Sequence, residues 1–459
     1  MKKIVSILLI VALGLSFAAC GKEEQDVRTD SSQQNKVQQS DAAHMQEGNL
    51  TLLCDDSSSF SNHFGTENGF YYFTECKDIA DGICGMHLMY VDYATKQEVY
   101  LCSDSGCRHN SDECSSVFVQ GEFGEDSLPF VWGDSLYVLN RNYDSDGSVS
   151  IDMTGGAVSP EAEEVTLYRM NLDGSSRQKI YTFPDNLTTE KIVIGDGDSL
   201  WFVTKRLAVQ NHEAENYTTS TERSLSKYSI SDNKIVDHIS LDLDDGIYQT
   251  VIGAVGNKFI LNGVAYPEGK SDKEIMKLTD DEWKEIYKNS STVYSSLETG
   301  SKSKTEIYRM NNETLRSTCA VRDGFLFVSN CADGGVLKIN PSNGEKTTLA
   351  TLEQNYIYTA LKDTLCCIDT GKTDDQTLYF VDLQTGEVHH SSLTNKSLGW
   401  QMDILADAGD QVLVVYDYDA VKDGEQYIIK QYKYALISKD DLYNSRANYM
   451  PIAMEGSGI

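Results

Sequence analysis

One pattern recurs along this chain and limits what it can fold into. A short apolar run meets a Gly, Asp or Asn turn. An apolar-aromatic run follows, then a variable loop, an "LY" or its equivalent, a polar turn and a last short run. The second copy reads LPFV, Gly133-Asp134, SLYVLN, a loop, TLYRMNLDG and RQKIYTF. The third reads KIVIG, Gly197-Asp198, SLWFVTK, a loop, SLSKYSISDN and IVDHISL. The fourth reads TVIGAV, Gly256-Asn257, KFILNGV, a long insert and TEIYRMNN. The fifth reads CAV, Asp323-Gly324, FLFVSN, GVLKINPSNG and KTTLAT, and the sixth YIYTAL, Lys362-Asp363, TLCCID, TLYFVDLQTG and VHHSSL. The seventh reads MDILADA, Gly409-Asp410, QVLVVYDY and YIIKQYKYALI, while a first copy shows in NGFYYFTE and HLMYVDYATKQ.

Each copy holds runs of strand length that either alternate or stay wholly apolar. The Gly, Asp and Asn turns supply the positive φ that tight hairpins require. Four strands every ~40 to 60 residues predict an all-β fold, a β-propeller of seven four-stranded blades over residues 49–459, with six or eight blades as the alternatives because the outermost strands are weakly marked. The regular turn placement argues against an array of β-sandwiches. NLTLLC, near residue 50, is the candidate to complete the last blade and close the ring. An apolar content of 40%, with 26 Tyr and 14 Phe, is enough for a core of that size.

Three copies carry long inserts: Arg141 to Glu164, Arg206 to Arg223 and Ala265 to Lys304. All are expected between the second and third strands, so they should emerge on one face as a raised wall. Within the fourth-blade insert, TDDEWKEIYK predicts a small helix. Thr279 and Glu282 form a capping box, and Trp283, Ile286 and Tyr287 share one helical face. We expect this helix to cap the axial opening. Tyr143, Trp283, Tyr287 and Tyr294 on the inserts would suit stacking on sugars or packing on a peptide.

The chain begins MKKIVSILLIVALGLSFAAC. Lys2 and Lys3 precede an apolar stretch, Ile4 to Leu15, that is short for a membrane span. The segment closes on Ala18, Ala19 and Cys20. Residues 1–20 resemble a bacterial lipoprotein signal, which implies cleavage before Cys20 and lipid on its sulfur. Residues 21–48 are polar and cannot bury enough surface to fold; as a flexible tether they would span ~30 Å. The expected location is the extracytoplasmic face of a bacterial cell membrane, reached through the lipid anchor. A formal charge of −31 repels phosphate backbones and argues against nucleic acid as a partner.

Motifs of common catalytic classes are missing. There is no G-x-S-x-G, no phosphate loop and no dinucleotide fingerprint, and HEAEN at His212 lacks the second His of a zinc protease helix. VDLQTGE (Val381 to Glu387) resembles the strand-turn signature of quinoprotein-like propellers without their docking tryptophan. It supports the fold and no quinone. NYDSDGS places Asn142, Asp144, Asp146 and Gly147 as in a calcium loop, but Met153 stands where the bidentate Glu belongs, so an acidic solvated loop is expected.

The stretch LCSDSGCRHNSDECSS holds Cys102, Cys107, His109 and Cys114. Three thiolates at ~2.3 Å and one imidazole at ~2.1 Å would close a tetrahedron around zinc, and a site with four protein ligands would be structural. The competing account is disulfides. The chain has eleven Cys, and an even number remains once Cys20 is lipidated. Cys76 and Cys84 could staple the loop KDIADGI. Cys319 and Cys331 are placed on paired strands. Cys366 and Cys367 should point to opposite sheet faces. Three local cysteines in the motif leave one needing a distant mate, for which Cys54 is available.

The lipobox, the polar tether, LCSDSGCRHNSDECSS and the closing YALISKDDLYNS together look like a group of uncharacterised β-propeller surface lipoproteins of anaerobic Gram-positive bacteria. The resemblance implies a propeller on the outer surface and brings no activity with it. An anaerobic setting would favour metal over disulfide at the Cys/His stretch. The function expected is a lipid-anchored ligand-binding or protein-interaction module for an extracellular glycan, peptide or protein. A polysaccharide hydrolase or lyase on the same scaffold is the alternative.

Overall fold

The run Gly69–Phe73 is buried at every position, and what its side chains touch explains why. Phe70 and Tyr72 pack against Leu413, Tyr434 and Leu436 near the C-terminus. Tyr71 and Phe73 point the other way, onto Leu136 and Val138. Successive strand residues face opposite sides of a sheet, so a strand sandwiched between two neighbouring sheets must be apolar throughout. Ser135–Arg141 repeats the design. Leu136 and Val138 serve one neighbour, Tyr137 and Leu139 the next.

The computed structural model of the chain describes residues 48–456 except 55–61, 81–82, 120–125, 142–164, 185–186, 210–218, 242–248, 268–274, 276–277, 302, 313–316, 331–332, 353–354, 370–376 and 424–425. The described strands form seven antiparallel sheets, each built around a four-stranded blade. Seven apolar clusters join them, each shared by two adjacent blades. The first and seventh blades meet in one of these, so the ring is closed. The protein is a seven-bladed β-propeller, nearly all β among the described residues, which include small helices at Asp280–Lys288 and Lys439–Tyr443.

Turn chemistry follows the expected rule. Gly133, Gly197, Gly256, Asp323, Gly324 and Gly409 have positive φ, whereas neither Lys362 nor Asp363 does. Glycine is required elsewhere for closeness. A Cβ on Gly253, in the innermost strand of the fourth blade, would lie 2.6 Å from the Val321 Cβ of the fifth.

Four expectations change. The third strand of the fourth blade is Ser291–Glu298, and TEIYRMNN forms the fourth, Lys304–Asn311. The insert is therefore confined to residues between Ala265 and Ser291. Polar Thr292, Ser295 and Ser296 are buried in that strand, which masks its strand character in the sequence. Part of the third-blade insert is a long hairpin, paired out to Val209 and Thr219.

The N-terminal strand Thr51–Cys54 does not complete the last blade. It pairs with Leu187–Asp196 of the third, Thr51 opposite Gly195. The Leu50 amide donates to the Gly256 carbonyl of the fourth blade, 2.7 Å away. An inner edge that would leave unpaired backbone groups is thereby covered. The seventh blade takes its outer strand from Met450–Pro451 instead. Beyond it the tail crosses to the first blade, where Ala453 and Gln97 form a parallel bridge. The buried Glu98 carboxylate accepts from the Glu455 and Gly456 amides and from the Tyr72 hydroxyl.

The helix at Asp280–Lys288 forms with its capping box in place. Its side chains are mostly exposed, however, with Trp283 at 37%. A cap packed over the axis would bury that face.

Candidate metal centre and the loop-bearing face

The first blade's outer strand comes in two pieces. Gln97–Tyr100 pairs with Met89–Asp92, and Val117–Val119 pairs with Gly85–His87 of the same neighbour. Between them Leu88 receives the Leu101 amide on its carbonyl and donates its own amide to Ser116. Residues 101–116 are therefore an excursion from the middle of one strand, and the Cys/His motif lies within it.

The excursion folds so that its four metal-binding side chains converge. The ligand atoms of Cys102, Cys107, His109 and Cys114 all lie within 4.8 Å of one another. Thiolates ~2.3 Å from a tetrahedral zinc are ~3.8 Å apart, so the group could bind a metal ion once its ligands draw in by up to ~1 Å. His109 adopts a left-handed φ of 54°. Its amide donates to the Cys107 sulfur at 3.3 Å, and its Nδ1 lies 3.4 Å from the Cys114 sulfur. The imidazole stacks on Tyr100 with centroids 4.4 Å apart. Buried His87 holds the turn through Nε2, which donates to the His109 carbonyl at 2.7 Å.

The second blade braces the return arm. Arg177 donates to the carbonyls of Asp112, Ser115 and Val117 and lies over the Phe118 ring. Gly174, at φ +79°, fits where a Cβ would strike the Leu101 carbonyl at 2.3 Å.

Electrostatics favour ligation by a neutral imidazole. Burial lowers the His109 pKa, so the ring is uncharged at neutral pH. Burial also pushes Cys102 up, but hydrogen bonds from the Asp104 amide, Ser115 and the neighbouring thiols bring it below the ordinary thiol value. Burial raises Cys114 to about 11. A cation would be needed to hold three thiolates so close.

Cys102, Cys107 and Cys114 are thiols here and form no disulfide. Cys54 is not beside them. It lies on the innermost strand of the third blade, 3.9 Å from the Pro129 carbonyl. Cys76 is disulfide-bonded, and Cys84 pairs with Asp78 through its backbone. Cys366 and Cys367 point to opposite faces as expected, one into each flanking cluster. Cys319 lies opposite Val328. Cys331, Cys20, the segments 1–20 and 21–47, and the loop with Asn142, Tyr143, Asp144, Asp146, Gly147 and Met153 lie outside the described residues.

Strand direction places the second-to-third-strand connections and the blade-to-blade links on one face. That face carries the fourth-blade helix and the extended hairpins of the third and seventh blades. Trp283 and Tyr287 stack there at 5.0 Å. Tyr294 does not belong with them, since it is fully buried in the fourth blade.

Sequence reasoning missed the aromatics of the seventh blade. Gln411–Asp423 and Gln426–Ser438 form its long hairpin, which leaves Val421, Tyr427 and Ile428 exposed. Trp400, in the link entering that blade, is 46% exposed. It stands edge-on to Tyr418 and Tyr427 at 6.1 and 6.3 Å. A lone tryptophan in a polar link carries no periodicity, so only its type could have marked it.

No protein-family model and no curated protein matches the sequence. Among solved structures, the fold is similar to a prolyl endopeptidase at 8% identity and a TM-score of 0.44, covering 89% of this chain and 50% of that one. An oligogalacturonate lyase from Vibrio parahaemolyticus aligns at 10% identity, TM-score 0.39, over 71% of this chain and 78% of its own. TolB from Acinetobacter baumannii aligns at 10% identity, TM-score 0.32, over 73% and 80%. The chain spans half the length of the peptidase. These likenesses bear on neither activity nor ligand.

Proposed function

We propose that the protein is a lipid-anchored, extracytoplasmic propeller that binds a glycan or peptide on its loop-bearing face, with zinc at the Cys/His excursion as a structural clip. The lipoprotein-like N-terminus and the resemblance to surface lipoproteins support the location. The carrying observation for binding is the contrast between the two faces. Tight turns close one. The other bears the helix, the long hairpins and the exposed Trp283, Trp400 and Tyr427. Trp400 and Tyr427 adjoin on the seventh blade, and exposed apolar patches mark interaction surfaces. The Cys/His excursion lies on the outer strand, and a closed set of four protein ligands leaves zinc no open position for chemistry.

The test is binding of the purified full chain, in detergent, to glycan and peptide arrays. The comparison is a variant whose residues 267–289 are replaced by a short Gly-Ser turn, which keeps the paired ends Ala265 and Ser291. Reduced binding is expected. Unchanged binding by a folded variant, together with unchanged binding by Trp400→Ala, would refute use of this face. Turnover of a bound polysaccharide would instead favour the hydrolase or lyase reading.

A further inference from the structure

A carboxylate, Asp403, stands three residues beyond Trp400 and shares Tyr418 with it. Asp403 opens the innermost strand of the seventh blade, Asp403–Ala408. Its Oδ2 accepts from the Tyr418 hydroxyl at 2.6 Å, and its Oδ1 accepts from the Tyr358 hydroxyl of the sixth blade at 3.2 Å. Tyr418 thus joins two environments: its hydroxyl meets Asp403, and its ring meets the half-exposed indole of Trp400. A carboxylate has about four acceptor positions, so two phenols leave capacity for further donors.

Hydrogen bonds fix the backbone that carries Trp400. The Trp400 carbonyl accepts from both the amide and the side-chain nitrogen of Asn395, at 2.9 and 3.0 Å. Ser397 ties the same link to the hairpin, its amide donating to Asp417 and its hydroxyl to the Tyr418 carbonyl. Two lysines lie close by, although the chain as a whole carries −31. Lys433 lies 3.9 Å from Asp417. Lys422 sits over the Tyr427 ring at 5.7 Å, filling the place an external cation would take.

We propose that Trp400, Tyr418 and Asp403 form a binding subsite for a neutral saccharide. The apolar face of a pyranose stacks on the exposed indole. Its hydroxyls, which both donate and accept, reach the part-exposed Asp403 carboxylate and Tyr358 phenol, while buried Tyr418 holds that carboxylate in place. Flat aromatic surface beside a few convergent polar groups is the composition that recognises such a ring. A cationic ligand fits less well because Lys422 already covers the Tyr427 ring and Lys433 pairs with Asp417 beside Tyr418. This subsite rests on the ligand-binding reading of the same face and names the ligand class.

The full chain in detergent is titrated with chitohexaose, cellohexaose and maltohexaose, and with choline chloride as the cationic probe, by calorimetry and tryptophan fluorescence. Trp132 and Trp201 are buried, so a ligand-induced change reports mainly on Trp400 and Trp283. Saturable binding of at least one oligosaccharide is expected. Trp400→Ala and Asp403→Asn should each weaken it about tenfold or more, a loss of roughly 1.4 kcal/mol. Trp400→Phe should retain most of it. Unaltered melting temperatures show that the variants fold. Binding of none of the three sugars overturns the proposal, as does sugar binding indifferent to Trp400→Ala or a preference for choline. Sugar binding that survives Trp400→Ala but falls when residues 267–289 are replaced would sink this subsite and leave the loop-bearing face standing.

Discussion

Removing metal from the Cys/His excursion should loosen a defined part of the ring. A metal held there would join the point where the outer strand leaves the first blade, at Cys102, to the point where it returns, at Cys114. With zinc at ~1,000 times its dissociation constant, binding contributes ~4 kcal/mol to the folded state. Unfolding a ring of ~400 residues releases ~0.8 kcal/mol per kelvin, at ~2 cal/mol/K per residue. Chelation should therefore lower the melting temperature by about 5 °C. Hydrogen exchange should locate the effect. The amides of Leu101 and Val117, which donate to Leu88 and Cys114 carbonyls, should exchange faster, while those of the sixth blade should not. Cys114→Ser should reproduce the shift and make the protein indifferent to chelator. Native mass spectrometry should show one zinc, with Cys102, Cys107 and Cys114 alkylatable after denaturation. A native mass without metal, and a melting temperature unmoved by chelator, would falsify the clip.

Two further outcomes follow from the packing. Asp196 is buried, with Lys227 at 2.9 Å and donors from Gly48 and Trp201. Burial opposes its charge, but the Lys227 ammonium and these hydrogen bonds hold its carboxyl below the ordinary value. A depressed carboxylate contributes fully above its unfolded pKa and loses that contribution as pH falls through the folded one. Asp196→Asn should thus cost ~2 kcal/mol at pH 7, and the gap from wild type in thermal melts should close on acidification; a constant gap would reject the linkage. Gly253→Ala should cost ~1 to 3 kcal/mol by overpacking Val321. Val321→Ala should restore part of that loss in denaturant titrations, and simple additivity of the two would show that they do not compete for the same space.

The blades were legible because both of their signals are local. The turn residues and the alternating or apolar runs each sit within a few positions of one another. Ser291–Glu298 escaped because its buried positions include small polar residues, so it reads as part of a loop. The destination of Thr51–Cys54 could not be read at all. A four-residue edge strand carries almost no register information, and its partner lies more than a hundred residues away. The Cys/His group was visible as ligand types at close spacing. Its place inside an interrupted strand was not, since that depends on Leu88 bonding both Leu101 and Ser116. Trp400 and Asp403 meet only through Tyr418, on a different strand, and no spacing announces that.

The two chain ends enter the ring at different places, and this has a mechanical consequence. Tension applied upstream of Gly48 is delivered to Thr51–Cys54, through the Gly48–Asp196 and Leu50–Gly256 hydrogen bonds. The seam that keeps the ring shut is elsewhere, where residues 453–456 lie on the first blade. That strand can be peeled from the third blade while the circular seal stays out of the load path. A pull from the N-terminal side would then have a weak link that yields before the ring opens.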